Sequence, residues 1–525
     1  MNGSNPSPSW RVIALLSCVF FHGAFGQTTP QVESIETLAA LQARLSNHIA
    51  QPRFAAAAWG VKIISLDTGK VLFEHNAAKL LKPASNAKLY SGALALHRLG
   101  PDFRIRTSLY ATARPDNSGM LPGDLIIYGR GDPSFAARFH NGEYGKILDP
   151  LVEAVVSAGV KSIQGGLIGD ESYFRGPPLG SGWTWDDLQY YYGAEVSALT
   201  VQDNVVDLVF KPGQNLGEAC RITASPETAY LTFSNRTTTV AAGGRRMINL
   251  YRPIGLNVVV VTGQLPSDDL GWTDAAAVHD PARWFVTLFQ EALERRGIKV
   301  QGTLRTLNWL DRELQPLEPA KLVEIGSVES RPLAEMLGKM MKPSQNLYAQ
   351  LCLLQAGARA PRATNASAFE TTEEIGLRVL REFLDEAGVR KGDVLLEEGS
   401  GLSRAALLTP NATVALLKFM SRHPQADVFR QALPLAGVDG TLRNRMKGTA
   451  AAKNVQAKTG SLRYVNTLSG YVATAAREQL AFSIMLNNYD QSAAGTSARE
   501  DLDAIAILLS SFKGHTGAET QPVEK

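Results

Sequence analysis

Ser85, in the run Lys82-Pro83-Ala84-Ser85-Asn86-Ala87-Lys88, is the residue of this 525-residue chain best placed to act as a nucleophile. A serine hydroxyl reacts poorly at neutral pH unless a base lies within hydrogen-bond reach. On a helix, Lys88, three residues later, shares a face with it one turn on. Pro83 is a helix-start signal, and Leu89, Ala93, Leu96 and Leu99 recur at helical spacing until Gly100-Pro101 stops the run. Ser85 is therefore expected at the positive end of a helix dipole, where developing negative charge is favoured. The plainer reading of the same spacing is a serine N-cap followed by a solvated lysine.

Two further runs give that serine company. Lys342-Pro343-Ser344-Gln345-Asn346 reads locally as a stop and a new N-cap at Ser344, with Asn346 in the first turn. Ala457-Lys458-Thr459-Gly460 reads locally as a strand ending in a turn. In chain order, Ser-x-x-Lys, Ser-x-Asn and Lys-Thr-Gly resemble the signature of penicillin-binding proteins and serine β-lactamases. The chemistry would be acyl transfer: Ser85 attacks a carbonyl and becomes an ester. Lys88 must be neutral to take the proton, and burial together with a second cation, Lys458, would lower its pKa. Ser344 can relay a proton towards the leaving amine. The Asn346 amide can hold Lys88 or the substrate. Lys458 and Thr459 suit a terminal carboxylate, and Gly460 lets a substrate strand approach the backbone. The developing oxyanion needs two backbone N–H donors.

No rival constellation competes. The eight histidines are scattered without metal-ligand spacing, and no Gly-x-Ser-x-Gly elbow occurs. Gly399-Ser400-Gly401, Asp132 and Asp170 read as turn formers. A net charge of +3 is too small to argue for nucleic acid, and no basic run is interleaved with aromatics. No metal or other cofactor is called for.

The elements that must position these residues can be read in outline. Gly60 to Glu74 is a hairpin with its turn at Asp67-Thr68-Gly69. Strands follow at 104–111 and 124–128. A weak repeat then appears twice. A helix at 151–158 ends in Gly159 and a short strand, and a helix at 284–296 ends in Gly297 and another. Asn204 to Thr262 is rich in strand formers. Leu333, Met336, Leu337 and Met340 share one helix face, and Leu347, Leu351 and Leu354 another. Two strands at 468–473 and 480–486 and a closing helix at 501–512 complete the chain. The class is α/β (α+β) and multidomain. Residues 27–100 and 311–525 are expected to form one domain, an antiparallel sheet flanked by helices. They would be interrupted by an inserted region, 101–310, with a nested β-rich domain at about 204–265.

At the N-terminus, Arg11 and the apolar run Val12–Phe21, followed by Ala24-Phe25-Gly26, read as a secretory signal over residues 1–26. The competing reading lipidates Cys18. Val12–Phe21 is too short to span a bilayer and no run of eighteen apolar residues occurs elsewhere, so no transmembrane anchor is expected. Two cysteines remain after cleavage, Cys220 and Cys352. Whether they pair is open, although Cys352 sits in an apolar helical run as a buried thiol would.

Taken whole, the chain resembles the D-Ala-D-Ala carboxypeptidase/endopeptidase family, the class C low-molecular-mass penicillin-binding proteins. Beyond the three motifs, the resemblance rests on Gly131-Asp132-Pro133-Ser134, Gly169-Asp170-Glu171-Ser172-Tyr173-Phe174 and Tyr192-Gly193-Ala194-Glu195-Val196-Ser197-Ala198-Leu199. It also rests on Gly399-Ser400-Gly401-Leu402-Ser403-Arg404, Asp439-Gly440-Thr441-Leu442 and Leu468-Ser469-Gly470-Tyr471. It implies a transpeptidase/β-lactamase-like domain in two segments, while the leader would make the protein periplasmic or secreted. Ser85 would be the nucleophile, Lys88 the base, Ser344 and Asn346 the second motif, and Lys458 a substrate binder. The N–H groups of Ser85 and Ser461 would form the oxyanion hole. Peptidoglycan peptides would be substrates and β-lactams inhibitors. Two departures, Glu398 where the family usually has Asp and Thr200 where it often has Asn, bear on loop geometry and substrate preference. A serine β-lactamase is the alternative, disfavoured because 256 positions separate Lys88 from Ser344, a gap much longer than such enzymes have. A non-catalytic wall-binding protein of the same fold is the other.

Overall fold

The computed structural model describes residues 36–517, apart from 363–366, 368, 492–494 and 496. The expected leader and Cys18 lie outside the described residues.

Two distant stretches of chain build one five-stranded antiparallel sheet. Its spatial order is Gln456–Leu462, Val465–Ala473, Gln479–Asn487, Ala58–Ser65, Val71–His75. The middle strands pair in register from Ala58 opposite Asn487 to Ser65 opposite Leu480. Successive side chains of a strand point to opposite faces, so the sheet feeds two cores. Val61, Ile63, Phe482 and Ile484 pack against the helices Leu38–Ile49 and Ala498–Ser511. Ile64, Ala481 and Tyr471 belong to a second core with the helices Lys88–Leu99, Leu333–Met341, Asn346–Arg359, Thr372–Glu386 and Pro410–Met420. The central strand Gln479–Asn487 is covered on both faces, which is why it reads as a nearly unbroken apolar run. The architecture is the mixed α/β one expected, an antiparallel sheet flanked by helices.

The middle of the chain has its own sheet and its own core. Leu304–Leu307, Leu167–Asp170, Leu125–Tyr128, Arg106–Ala111 and Val323–Glu329 lie side by side in that order. The two repeat units meet there. Their helices, Asp149–Ser157 and Pro281–Arg295, end in the same way: Val160 N–H donates to Val155 O, and Ile298 N–H to Leu293 O. Those six-residue closures are Schellman caps, and they need the left-handed backbone that Gly159 (φ 83°) and Gly297 (φ 80°) supply. The strands that follow run parallel as neighbours, Ser162–Ile163 with Lys299–Val300 and Leu167–Asp170 with Leu304–Leu307. Between them in sequence, Val205–Lys211 is flanked by Arg221–Ser225 and Trp272–Ala277, and Val258–Pro266 by Thr232–Val240 and Met247–Tyr251. Trp284, Phe285 and Phe289 anchor the shared core. Cys220 and Cys352 are both buried free thiols. Among the described residues, no helix is long and apolar enough to cross a membrane.

Candidate active site

Ser85 does not cap a helix. It lies in a 3-10 turn, Ala84–Ala87, and the α-helix proper begins at Lys88 with Ala87 in the cap position. The expected helix start is thus moved by three residues, and the N-cap reading of Ser85 fails. The turn is fastened to the sheet from below. Thr467 Oγ donates to Pro83 O (2.9 Å), and Asn86 Nδ2 donates to Ser469 Oγ (2.7 Å), itself bonded to Ser483. Gly460 makes the approach possible: a Cβ there would sit 2.8 Å from Pro83 O and 3.0 Å from Ser85 N, with the Thr467 hydroxyl closer still. Side-chain-free backbone is the only kind that fits.

Lys88 lies fully buried beneath Ser85. Its Nζ is 2.8 Å from Ser85 Oγ, 2.5 Å from Asn346 Oδ1 and 2.8 Å from Ser400 O. Burial pulls its pKa down to about 7, against the opposing pull of the Glu398 carboxylate. The sequence led us to expect Lys458 to share in lowering it. Instead, burial does the work on Lys88, and the repulsion falls on Lys458, whose pKa burial and the Lys88 charge push well below the ordinary lysine value. Two ammonium groups sharing one dry pocket compete for a single favourable charge state.

Ser344 also departs from its expected local role. Gln345 caps the Asn346–Arg359 helix, its side chain accepting from Leu347 N–H (3.4 Å). Ser344 sits just outside with φ 68°, and its Oγ accepts from Lys458 Nζ at 2.8 Å. Asn346, the first helical residue, is held at both ends of its amide. Its Oδ1 takes Lys88, and its Nδ2 donates to Tyr192 O at 2.7 Å. Lys458 is buried and also donates to Thr459 O, and Thr459 Oγ1 lies 2.8 Å from Thr441 Oγ1. Lys458, Thr459 and Ser461 lie on Gln456–Leu462, an edge strand, so half of its backbone polar groups point out of the sheet.

Ser85, Ser344, Asn346, Thr459 and Ser461 line one open cleft of about 1590 Å³, with Tyr191, Tyr192, Leu402 and Arg404 on its walls. Lys88 and Lys458 lie beneath it. All seven residues singled out from the sequence are therefore brought together, from three segments separated by more than 100 positions each.

Several groups that hold these residues in place escaped the sequence analysis. Tyr192 and Ser400 act through backbone carbonyls, which no side-chain pattern announces. Glu398 had registered only as a departure from a family pattern. Its buried carboxylate accepts from Ser400 N–H and Oγ (2.7 and 2.6 Å) and from Gly401 N–H (2.5 Å). It thereby shapes the loop that offers Ser400 O to Lys88. Arg404, bonded to Thr184 and Asp187 (both 2.7 Å), fixes the stretch that leads to Tyr192.

The family model for the D-Ala-D-Ala carboxypeptidase 3 (S13) family matches residues 41–508, nearly all of the described chain. The chain belongs to that family. This S13 chain is 34% identical over 483 residues to the D-alanyl-D-alanine carboxypeptidase of Actinomadura sp. (strain R39), covering 89% of this chain and 84% of the relative. Its fold matches the crystal structure of penicillin-binding protein 4 (DacB) from Haemophilus influenzae with a TM-score of 0.73. The identity there is 24%, and the match covers 88% of this chain and 97% of that one. A structure of the same Haemophilus protein with a β-lactam matches with a TM-score of 0.67 at 22% identity, over 88% and 97% of the two chains. The S13 chain is accordingly a serine peptidase of the D-Ala-D-Ala carboxypeptidase type.

Proposed function

We propose that this protein hydrolyses the D-Ala-D-Ala termini and D-Ala cross-links of peptidoglycan peptides through an ester on Ser85. The single observation that carries the assignment of roles is the Lys88 Nζ–Ser85 Oγ approach of 2.8 Å in a pocket that favours the neutral amine. Neutral Lys88 takes the Ser85 proton as Oγ bonds to the D-alanyl carbonyl carbon. The oxyanion is received by backbone N–H groups of Ser85 and Ser461. The proton returns to the leaving amine through Ser344, which Lys458 holds. Thr459 and Lys458 bind the terminal carboxylate, which also restores a favourable setting for the Lys458 charge. Water then attacks the ester, with Lys88 again as base, and frees the shortened peptide. Asn346, already engaged at both ends, orients Lys88.

β-Lactams would acylate the same serine, as the β-lactam complex of the Haemophilus protein encourages. Export to the periplasm rests on residues 1–26, whose charge and apolar pattern fit a leader. We place the join between the two-segment transpeptidase-like domain and the inserted region at about 330 rather than 311, because Val323–Glu329 pairs with Arg106–Ala111. The nested β unit would extend to Ala277, since Trp272–Ala277 pairs with Val205–Lys211.

The test is labelling by a fluorescent penicillin together with D-alanine release from a pentapeptide. Both are expected, and both should vanish in Ser85→Ala. Rapid penicillin turnover without D-alanine release would favour a β-lactamase. Neither activity in the folded wild type would refute the reading.

A further inference from the structure

The walls of the cleft are lopsided in charge. Seven lysine and arginine side chains line it, against two acidic ones, Asp187 and Glu335. Three of the cations are already paired: Arg404 with Asp187, Arg445 with Asp503 and Lys342 with Asp439. Lys339 lies over the Phe139 ring. Arg443, Arg463 and Arg499 have no ion pair among the described residues, and all three are exposed. Even after Asp439 and Asp503 are counted with the lining, seven cations face four acids. That excess of three equals the formal net charge of the entire chain. A solvated basic face spread over a convex surface would carry no meaning. Here the charge converges on the concave site that holds Ser85, where a field is focused on whatever enters.

The positions of two of these arginines are informative. Arg443 follows Thr441 by two residues, and Thr441 Oγ1 touches Thr459 Oγ1. Arg443 thus lines the cleft two residues on from the Thr441–Thr459 contact, next to the anchor assigned to the terminal carboxylate, and is assigned to the leaving-group side. Arg463 follows Ser461 by two, in the turn after the edge strand, along the stretch against which the acyl portion would lie. A guanidinium takes a carboxylate through two parallel hydrogen bonds, and a carboxamide offers it neither the charge nor the second acceptor.

We propose that Arg443 and Arg463 form anion subsites at the two ends of the cleft, selecting peptides that carry further free carboxylates over the same peptides with carboxamides. The proposal rests on the D,D-peptidase reading and narrows its substrate. Because both arginines are exposed, the preference will be screened by salt.

The experiment uses the full-length protein and two matched pairs of synthetic D-alanyl peptides. In one pair, a side-chain carboxylate on the acyl side is free or amidated. In the other, the change is on the leaving side. The ratio of kcat/KM within each pair is independent of the fraction of active enzyme. We expect ratios of about tenfold at low ionic strength, falling to within about twofold in high salt. Arg463→Gln should collapse only the acyl-side ratio and Arg443→Gln only the leaving-side ratio, with the lysine variants retaining part of each. Ratios near one in the wild type, or a preference that salt leaves unchanged, would overturn the proposal even if neither variant folds. So would ratios that survive in the folded variants. Cleavage of no peptide at all, with Ser85 intact, would refute the underlying peptidase reading instead.

Discussion

Lowering the pH should silence the nucleophile long before it unfolds the protein. An ordinary lysine, with a pKa of 10.5, is neutral in only about one molecule per thousand at pH 7.5, whereas Lys88 at about 7 is neutral in roughly three-quarters. The shift multiplies the working base several hundredfold and reflects about 5 kcal/mol of disfavoured charging. Acylation of Ser85 by a fluorescent penicillin, followed by stopped flow, should therefore fall about 25-fold between pH 7.5 and 5.5, with one apparent midpoint near 7. Glu398→Gln supplies the second half of the test. Its carboxylate raises the Lys88 pKa, so its neutralisation should move the midpoint to lower pH and preserve activity in mild acid. The linkage to stability has a definite sign. Unfolded lysine holds its proton up to about 10.5, and the native state gives it up near 7. The native state therefore bears the full penalty below pH 7 and is relieved as pH rises from 7 towards 10.5. Acylation that stays flat from pH 5.5 to 8.5, or a midpoint above 9, would show that Lys88 is not the base.

Two further outcomes follow from the packing. Gly460→Ala drives a methyl group into Pro83 O, Ser85 N and the Thr467 hydroxyl, so penicillin acylation should drop by at least about tenfold and stability by about 1–3 kcal/mol in a denaturant titration. Burial pushes the Cys352 thiol up to about 12, which leaves about one thiolate in ten thousand at pH 8. Iodoacetamide should therefore spare it in the native protein and modify it only after denaturation, as read by mass spectrometry.

The sequence was most legible where chemistry depends on side-chain identity. Ser85, Lys88, Ser344, Asn346, Lys458 and Thr459 could be named by their side-chain chemistry, and the fold brings them to one cleft, whereas Ser461 entered only through its backbone N–H. The Gly60–Glu74 hairpin and the Leu333–Met340 stripe could be read because local periodicity reports local burial. What escaped depends on tertiary context. Val323–Glu329 carries little apolar signal, and only its pairing with Arg106–Ala111 makes it a strand. The helix cap falls at Gln345 rather than Ser344, whose backbone is left-handed (φ 68°) and whose hydroxyl accepts from Lys458. The interaction of Lys88 with Lys458 was foreseen, but on the wrong partner, because the effect depends on which group the pocket desolvates and on Glu398. Tyr192 O and Ser400 O are backbone atoms, invisible to any reading of side chains.

The antiparallel ladder that joins Arg106 to Glu329 has a consequence for how the chain assembles. Directly opposed residues in such a ladder lie about 5 Å apart. The 222 residues between these two therefore leave and re-enter at one doorway. Bringing the ends of a flexible loop of that length together would cost about 5 kcal/mol of chain entropy. If the middle of the chain folds first, that cost is met inside it. Ser85 and Ser344 are then presented to each other as though a few dozen residues, rather than half a protein, lay between their segments.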